Sequence, residues 1–323
     1  MKKIFPVMLL LILLVAGCSG GGAQTEQYES ENSINNQGIE SIYVDREPDL
    51  LPSDVAKDSI MESRLPTVSE AMLVFGGTDE ATGELIHADG GAYVIETRRY
   101  YVDDESRENK IEIFYPKLIK ADGGDRVSFY AETVNEMIRE AAFYNIIHGA
   151  ASEFHNRFEI YIEHEIMYSS NTFLSIRFSS SIYRYSTPSN NYCYTLNLDL
   201  VFPLDNLRLR DFFIIDDEFV DVFKNKPVFD DEKGLESQYI FEHYILDVER
   251  EWYSNERLKR DLFTADGGEF GPGNSCYSYF TSDSVGITMH FNRHYVILEL
   301  KYEDLVSNIR HDNPLWDELL AVN

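Results

Sequence analysis

Two short patterns in the chain have the spacing of metal-site motifs. His290 and His294 are four residues apart, which on a helix would place both imidazoles beside one metal ion. Their surroundings alternate as a strand does, and no third ligand is close in the sequence. His164-Glu165 begins the helical zinc motif, but Tyr168 stands where its second histidine belongs. We therefore expect no metal site.

Acidic pairs and a group of tyrosines are the remaining candidates for chemistry. The acids could exchange protons with a substrate, although adjacent acids more often solvate a surface or a helix start. The tyrosines could stack on sugars, although aromatic pairs across a hairpin are common structural units. The chain lacks a nucleophile elbow, a phosphate-binding loop and a dinucleotide fingerprint. We expect no catalytic residue, no cofactor and no enzymatic activity. The candidates are Asp103-Asp104, Asp216-Asp217, Asp230-Asp231, and Tyr183, Tyr185, Tyr192 and Tyr194.

Three cysteines offer different chemistry. Cys18 follows Gly17 after two lysines and an apolar run over residues 7–16, which is the pattern of a bacterial lipoprotein signal peptide. The sequence predicts cleavage after residue 17 and attachment of lipid to Cys18, so that acyl chains hold the protein at a membrane. Cys193 and Cys276 could form a disulfide outside the cytoplasm, or they could be two buried thiols.

The residues after Cys18 are typical of a flexible tether. Residues 18–65 are rich in Gly, Ser, Asn, Gln and Glu, and they contain too little apolar surface to repay ordering. We expect residues 66–323 to form the folded domain, with a first part over about 66–150 and a second over about 151–323. The expected location is the outer face of the bacterial cell membrane.

The chain is strongly acidic. Residues 1–17 contain two lysines and no acid, so the remainder has 26 basic and 56 acidic residues and a formal charge of −30. Such a chain repels nucleic acid, and we expect no nucleic-acid partner. The charge would attract a cationic partner, or it could only keep the domain soluble.

Alternating apolar residues predict three consecutive strands at 157–166, 173–185 and 194–202, with a turn at 186–191. Their short connections favour an antiparallel meander. A hairpin over 276–291 and a strand at 295–300 follow near the end. The three Ala-Asp-Gly-Gly segments at 88–91, 121–124 and 265–268 predict turns rather than a repeat.

Helical periodicity occurs on both sides of the meander. Apolar residues at three- and four-residue steps predict a helix over 127–141. Helices are also expected at 209–223 and 235–262, with short ones at 303–309 and 315–320. The predicted fold class is therefore α+β, an antiparallel sheet with helices packed on one face.

Several segments, in order, resemble the extracellular domain of RsiV-type anti-sigma factors, which also forms the N-terminal module of PdaC-type peptidoglycan deacetylases. The first part of the resemblance consists of the strand with Tyr115-Pro116 and the helix with Asn135. The second part consists of the strand pair after residue 173, Leu209–Phe213 and a final hairpin from Tyr279 to Tyr295, which is followed by Tyr302–Leu305. The similarity extends over about residues 90–310. The family's Gly-Gly-Ala-His turn is replaced by Ser-Thr-Pro-Ser-Asn-Asn at 186–191.

The resemblance implies the fold and an envelope location. Together with the predicted anchor and the acidic composition, it suggests a non-catalytic binding or sensing domain for a cationic protein such as lysozyme, which the RsiV-type domains bind, or for peptidoglycan. A cell-wall glycan-modifying enzyme and a structural subunit of an envelope complex are the alternatives. An enzyme would require paired carboxylates or a metal in a cleft. A structural subunit would require one stoichiometric partner.

Overall fold

The structure, a computed structural model, describes residues 67–87, 93–106, 108–120, 130–149, 157–184, 187–201, 206–229, 234–246, 253–267, 276–291 and 294–320. The predicted signal peptide 1–17 and the whole predicted tether 18–65, including Cys18, lie outside the described residues. The first two Ala-Asp-Gly-Gly segments and Asp230-Asp231 also lie outside them. Among the described residues, no helix is long and apolar enough to cross a membrane.

The described elements alternate between strands and short helices. The strands are β1 (Thr78–His87), β2 (Tyr93–Asp104), β3 (Asn109–Lys120), β4 (Phe158–Ser169), β5 (Phe173–Arg184), β6 (Thr187–Asp199), β7 (Cys276–Phe280), β8 (Ser284–Phe291) and β9 (His294–Lys301). The α-helices are α1 (Val68–Phe75), α2 (Ala131–Gly149), α3 (Leu209–Phe212), α4 (Asp217–Asn225), α5 (Gly234–Phe241), α6 (Asn255–Phe263) and α7 (Trp316–Leu319). A π-helical turn (Glu242–Leu246) extends α5, and two 3₁₀ turns (Tyr302–Asp304 and Val306–Asn308) follow β9.

The first six strands form one sheet in the order β1-β2-β3-β4-β5-β6. Every neighbouring pair is antiparallel except β3 and β4, which are parallel. A parallel pair needs a long crossover, and α2 provides it by returning the chain across one face of the sheet. The apolar side chains of that face pack with α2 in one core cluster.

β3 and β4 separate after a short pairing. They pair only over Lys110–Ile113 and Glu159–Ile162. Beyond that point, other groups occupy the edge of β3 that faces β4. The imidazole of His164 hydrogen-bonds the Phe114 backbone. Pro116 lacks a backbone N–H, so at this residue no donor is left unpaired on the edge of β3. The Leu118 backbone N–H donates to Asn135 Oδ1 at 2.8 Å, and its carbonyl accepts from Asn135 Nδ2 at 3.0 Å.

The three-stranded sheet β7-β8-β9 packs against β5 and β6 on the face away from α2. Asn197 of β6 donates through Nδ2 to the Ser278 carbonyl of β7 at 2.8 Å, and Ser175 Oγ accepts from the Phe280 N–H at 3.0 Å. A second core cluster lies between this sheet and the later helices, around Phe212, Phe280 and Trp316. Residues 62–323 form one compact unit.

The predicted fold class is confirmed, since the structure combines antiparallel-dominated sheets with packed helices. The predicted meander is β4-β5-β6, and the predicted hairpin is β7-β8. Three predictions were wrong, one of a turn and two of single helices that the structure interrupts. Residues 187–191, expected in a turn, belong to β6 and pair with β5. The expected helix 209–223 is interrupted between Phe212 and Asp217.

The interruption has a local cause. Asp216 caps the next helix, because its side chain accepts from the Phe219 N–H at 3.0 Å while its own backbone is extended. The expected helix 235–262 likewise contains a break, because Ser254 caps a new helix by accepting from the Arg257 N–H. The helical spacing of apolar residues continues across both breaks. The sequence pattern therefore predicted one helix at 209–223 and one at 235–262.

Candidate binding surface

The histidines of the two metal-like patterns lie on strands. His290 is on β8 and pairs with Tyr295, whereas His294 begins β9 and pairs with Phe291. The Nε2 atom of His290 lies 2.6 Å from the Cys193 carbonyl, and burial lowers the pKa of this imidazole. His164 is on β4, where the hydrogen bond to Phe114 occupies one side of its ring. Within the described residues, no group of three or more His, Cys, Asp or Glu side chains could hold a metal ion.

The described acidic pairs are engaged in local structure. Asp103 accepts from the Tyr101 hydroxyl at 2.9 Å. Asp104 accepts from both the backbone and the hydroxyl of Ser106. Asp216 is a helix cap, and Asp217 forms an ion pair with Lys259 at 2.8 Å. These contacts indicate surface and capping roles for the four carboxylates.

The tyrosine group does not form one surface. Tyr194 is fully buried and stacks on Phe178 at 5.2 Å, whereas Tyr192 stacks on His290 at 6.1 Å. Tyr183 is 42% exposed, and Tyr185 lies outside the described residues. A continuous sugar platform from these residues is therefore not present in the described part of the chain.

Cys193 and Cys276 are both buried, and no disulfide joins their sulfur atoms. Cys193 packs with Tyr279 and Ile297 between the two sheets, and Cys276 belongs to the second core cluster. Burial raises the pKa of the Cys276 thiol well above its usual value. Of the two alternatives, the structure has the buried thiols.

In the described part of the chain, one face of the six-stranded sheet carries exposed or partly exposed side chains over β1 to β4. Side chains alternate along a strand, so Ile111 and Ile113 of β3 and Ile160 and Ile162 of β4 pack with α2 in the core. The alternate residues point the other way. We call this surface the open face, and its residues are Glu80, Arg99, Tyr101, Asp103, Lys110, Glu112, Phe114, Glu159, Tyr161 and Glu163.

Aromatic rings run across the open face. Strand register places Glu112 between Tyr101 and Tyr161, and Phe114 opposite Arg99. The rings of Phe114 and Tyr161 are 6.1 Å apart and meet edge to face. The guanidinium of Arg99 lies 4.5 Å from the centre of the Tyr101 ring and 5.9 Å from that of Phe114. The aromatic row is therefore fixed by contacts between neighbouring strands.

The Arg99 side chain is held by two carboxylates. Its Nη2 atom lies 2.6 Å from Glu112 Oε1, and its Nη1 atom lies 3.6 Å from Glu80. The hydrogen bond to Glu112 raises the pKa of Arg99. Because the Arg99 guanidinium pairs with both Glu112 and Glu80, the three side chains are already oriented in the unbound protein.

The open face is acidic as well as aromatic. It carries five carboxylates and two cations, which gives a formal charge of −3. Glu163 accepts a hydrogen bond from the Tyr161 hydroxyl at 3.2 Å. The pKa of Tyr161 is raised, mainly by burial and also by the charge of this carboxylate. Tyr161 is 42% exposed, which is high for a large aromatic side chain. Tyrosine and arginine are the residue types enriched at the centres of protein-binding surfaces.

Sequence reasoning did not find this face, because it made no strand prediction for β1 or β2. The signal lies in β3, where Lys110, Glu112 and Phe114 alternate with Ile111 and Ile113. β2 hides the pattern, since its apolar residues stand in runs on either side of the polar segment Glu96–Arg99 and it ends in Asp103-Asp104. The alternation could have predicted an exposed strand face, but not which other strands complete it.

A buried carboxylate was also missed. Asp266, in the third Ala-Asp-Gly-Gly segment, has a left-handed φ of 60°, as the predicted turn requires. Its side chain accepts from the Ser278 N–H and hydroxyl at 2.8 and 2.5 Å, the Thr195 hydroxyl at 3.0 Å and the Leu209 N–H at 3.2 Å. Burial raises the pKa of Asp266 to about 6. The Asp266 carboxylate thus accepts hydrogen bonds from β6, α3 and β7, and it links these three elements.

Comparison with known proteins gives limited similarity. No protein-family model matches the chain. No curated protein matches it either. Among the solved structures that are similar in part are two DUF3298 family proteins. The one from Bacteroides fragilis has 14% identity and a TM-score of 0.37, covering 75% of this chain and all of that one. The one from Pseudomonas aeruginosa has 11% identity and a TM-score of 0.32, covering 73% and 95%.

Proposed function

We propose that this chain is a non-catalytic binding protein of the bacterial cell envelope, and that its open face captures a cationic protein such as lysozyme. The proposal includes anchoring to the outer face of the membrane through lipid on Cys18. The main observation that supports the binding proposal is the composition of the open face. There, the exposed ring of Tyr161 and the partly buried rings of Tyr101 and Phe114 are surrounded by more carboxylates than cations.

The physical argument combines two terms. The aromatic side chains supply contact area that a partner can desolvate, which is the main source of affinity at interface centres. The carboxylates attract a basic surface, increase its rate of encounter and oppose acidic partners. Because Arg99 and the strand register hold the side chains in place, little conformational entropy is lost on binding.

A cationic protein is favoured over peptidoglycan as the ligand. Sugar rings bind best to a flat, unobstructed aromatic ring, whereas Phe114 and Tyr161 meet edge to face and Arg99 lies over Tyr101. Carboxylates can accept hydrogen bonds from sugar hydroxyls, but the net negative charge of the open face adds no long-range attraction for a neutral glycan. Binding to peptidoglycan fragments is therefore a separate outcome of the test.

The experiment is calorimetric titration of the full-length protein, in non-ionic detergent, with hen lysozyme at about 50 and 300 mM salt. We expect binding that weakens as salt rises, because the charges on an exposed face are screened. Cytochrome c serves as a second basic protein, which separates selective binding from general attraction. Absence of lysozyme binding at low salt, or binding that does not change with salt, would overturn the proposal.

The site is tested by combining Tyr161→Ala with Glu163→Gln. This variant should weaken lysozyme binding by about 10- to 100-fold, as expected for an aromatic residue at an interface centre. The matched control is Tyr239→Ala with Glu242→Gln, which removes a tyrosine that is 63% exposed and a carboxylate from α5 and its extension. Equal effects of the two variants would show that the open face is not the site.

A further inference from the structure

A groove of about 540 Å³ lies where β3 and β4 separate, at the upper end of the open face. One wall comes from the β1–β2 hairpin and the other from β4, and the β7–β8 turn closes one end. Its volume falls within the range of about 300 to 1,000 Å³ that is typical of small-ligand sites. We call it the split groove, and its polar lining includes Glu84, Thr97, His164, Glu165, Thr281 and Ser282.

The two charged residues of the lining are carboxylates on opposite walls. Glu84 is an exposed residue of β1, and Glu165 is a residue of β4 whose side chain is 57% exposed. Hydroxyl groups of Thr97 and Thr281 lie on the wall and at the closed end. Carboxylates accept hydrogen bonds and carry negative charge, which is the complement of a cationic donor.

His164 contributes no positive charge to this lining. It is partly buried, and burial lowers the pKa of its imidazole, which disfavours the charged form of the ring. Its Nδ1 atom is buried without a hydrogen-bond partner. The groove therefore keeps a negative formal charge at neutral pH.

The rim of the groove already binds a guanidinium group of the chain itself. Arg177 Nη2 lies 2.5 Å from Glu165 Oε2, and its Cζ atom lies 5.1 Å from the centre of the Tyr279 ring. Glu165 retains exposed surface beyond this ion pair. The arrangement of carboxylate and aromatic ring shows that this edge of the fold can hold a guanidinium group.

We propose that the split groove receives an arginine side chain of the cationic partner, with the guanidinium group between Glu84 and Glu165. This inference rests on the proposed function and adds the chemistry of an anchor to it. The open face would contact the partner's surface, and the groove would take one projecting side chain. A sugar is disfavoured because Tyr168, the aromatic residue of the lining, is buried and offers no exposed ring.

The test uses N-acetyl-arginine amide as the probe and the full-length protein labelled with ¹⁵N-histidine in non-ionic detergent. N-acetyl-citrulline amide, which has almost the same shape but no charge, is the matched control ligand. Comparison with a His164→Asn variant assigns the His164 imidazole signals. We expect the arginine probe, and not the citrulline probe, to shift these signals in a saturable way.

Variants then locate the site. Glu84→Gln should weaken binding of the arginine probe about fivefold, as expected for loss of a partly exposed charge pair. Glu256→Gln changes the net charge equally at an exposed residue of α6, a helix that contributes nothing to the groove lining, and it should leave probe binding unchanged. Both variants should unfold at the wild-type urea midpoint, which verifies that the fold is intact. Probe shifts are measured from the unliganded spectrum of each variant, because the Glu84 carboxylate itself acts on the His164 imidazole.

The outcomes separate this inference from the proposed function. Lysozyme binding by the open face together with no His164 shift would overturn the groove inference alone. An equal response to citrulline, or a response to chitin oligosaccharides instead, would also overturn it. Arginine-specific shifts without any lysozyme binding would support the groove and contradict lysozyme as the partner.

Discussion

At the scale of single residues, Asp266 shows how one side chain can join separate elements. Its carboxylate is buried, and its hydrogen-bond donors come from β6, β7 and the start of α3. Burial disfavours the charged form, and the surrounding donors favour it. Burial is the larger effect, which is why the pKa of Asp266 rises to about 6.

We expect Asp266→Asn to lower the free energy of unfolding by about 1–3 kcal/mol near pH 7. The amide has one acceptor oxygen fewer, so a buried N–H such as that of Leu209 loses its partner. Urea unfolding of the variant and the wild-type protein measures this difference. A change below about 0.5 kcal/mol would contradict the proposed joining role.

The same pair of proteins tests the pH dependence. An unfolded aspartate has a pKa of about 3.9, so between about pH 4 and 6 the folded wild-type protein binds more protons at this residue than the unfolded chain does. Its stability advantage over Asp266→Asn should therefore decrease as pH rises through that window, by roughly 2–3 kcal/mol. A difference that stays constant from pH 4 to 7 would show that Asp266 is not titrating there.

At the scale of elements, the separation of β3 from β4 depends on α2. Asn135 of α2 supplies both an acceptor and a donor to the Leu118 backbone, as a neighbouring strand would. The Tyr115-Pro116 and Asn135 motifs, which carried part of the family resemblance, therefore stabilise a strand edge here. The split groove exists because this edge is completed by side chains rather than by β4.

Asn135→Ala should destabilise the protein by about 2–4 kcal/mol, because it leaves two backbone groups of a buried strand residue without partners. Glu136→Ala, at the next and exposed position of the same helix, should change stability by less than about 0.5 kcal/mol. Urea unfolding measures both variants. Amide hydrogen exchange gives a local readout, since the Leu118 amide should exchange faster only in Asn135→Ala.

At the scale of the whole molecule, the chain's charge and its local surface act on different steps of binding. The formal charge of −28 creates a field that attracts basic proteins from any direction. The open face determines where they remain bound. Electrostatic attraction acts mainly on association, whereas desolvated aromatic contacts act mainly on dissociation.

This division predicts different kinetic effects for two variants. Glu159→Gln with Glu163→Gln should reduce the association rate with lysozyme about threefold at low salt and leave it nearly unchanged at high salt. Tyr161→Ala should mainly increase the dissociation rate. Surface plasmon resonance at two salt concentrations measures both rates. A dominant effect of the charge variant on dissociation would contradict the division.

The sequence by itself determined the properties that depend on short stretches of chain. Alternation along 157–166 and 173–185 predicted β4 and β5, because a strand buried on one face repeats every two residues. Composition predicted an acidic molecule, and the first residues predicted a lipid anchor at Cys18. The anti-sigma-factor resemblance and the anchor stay predictions.

Only the tertiary structure decided which of these elements meet. The open face combines side chains from four strands, and its parallel β3–β4 pair is joined through α2, so no local pattern encodes it. Asp266 looked like an ordinary turn residue, because its partners lie 12 to 71 residues away. Periodicity reports which face of an element is buried, but pairing and burial depend on contacts between distant parts of the chain.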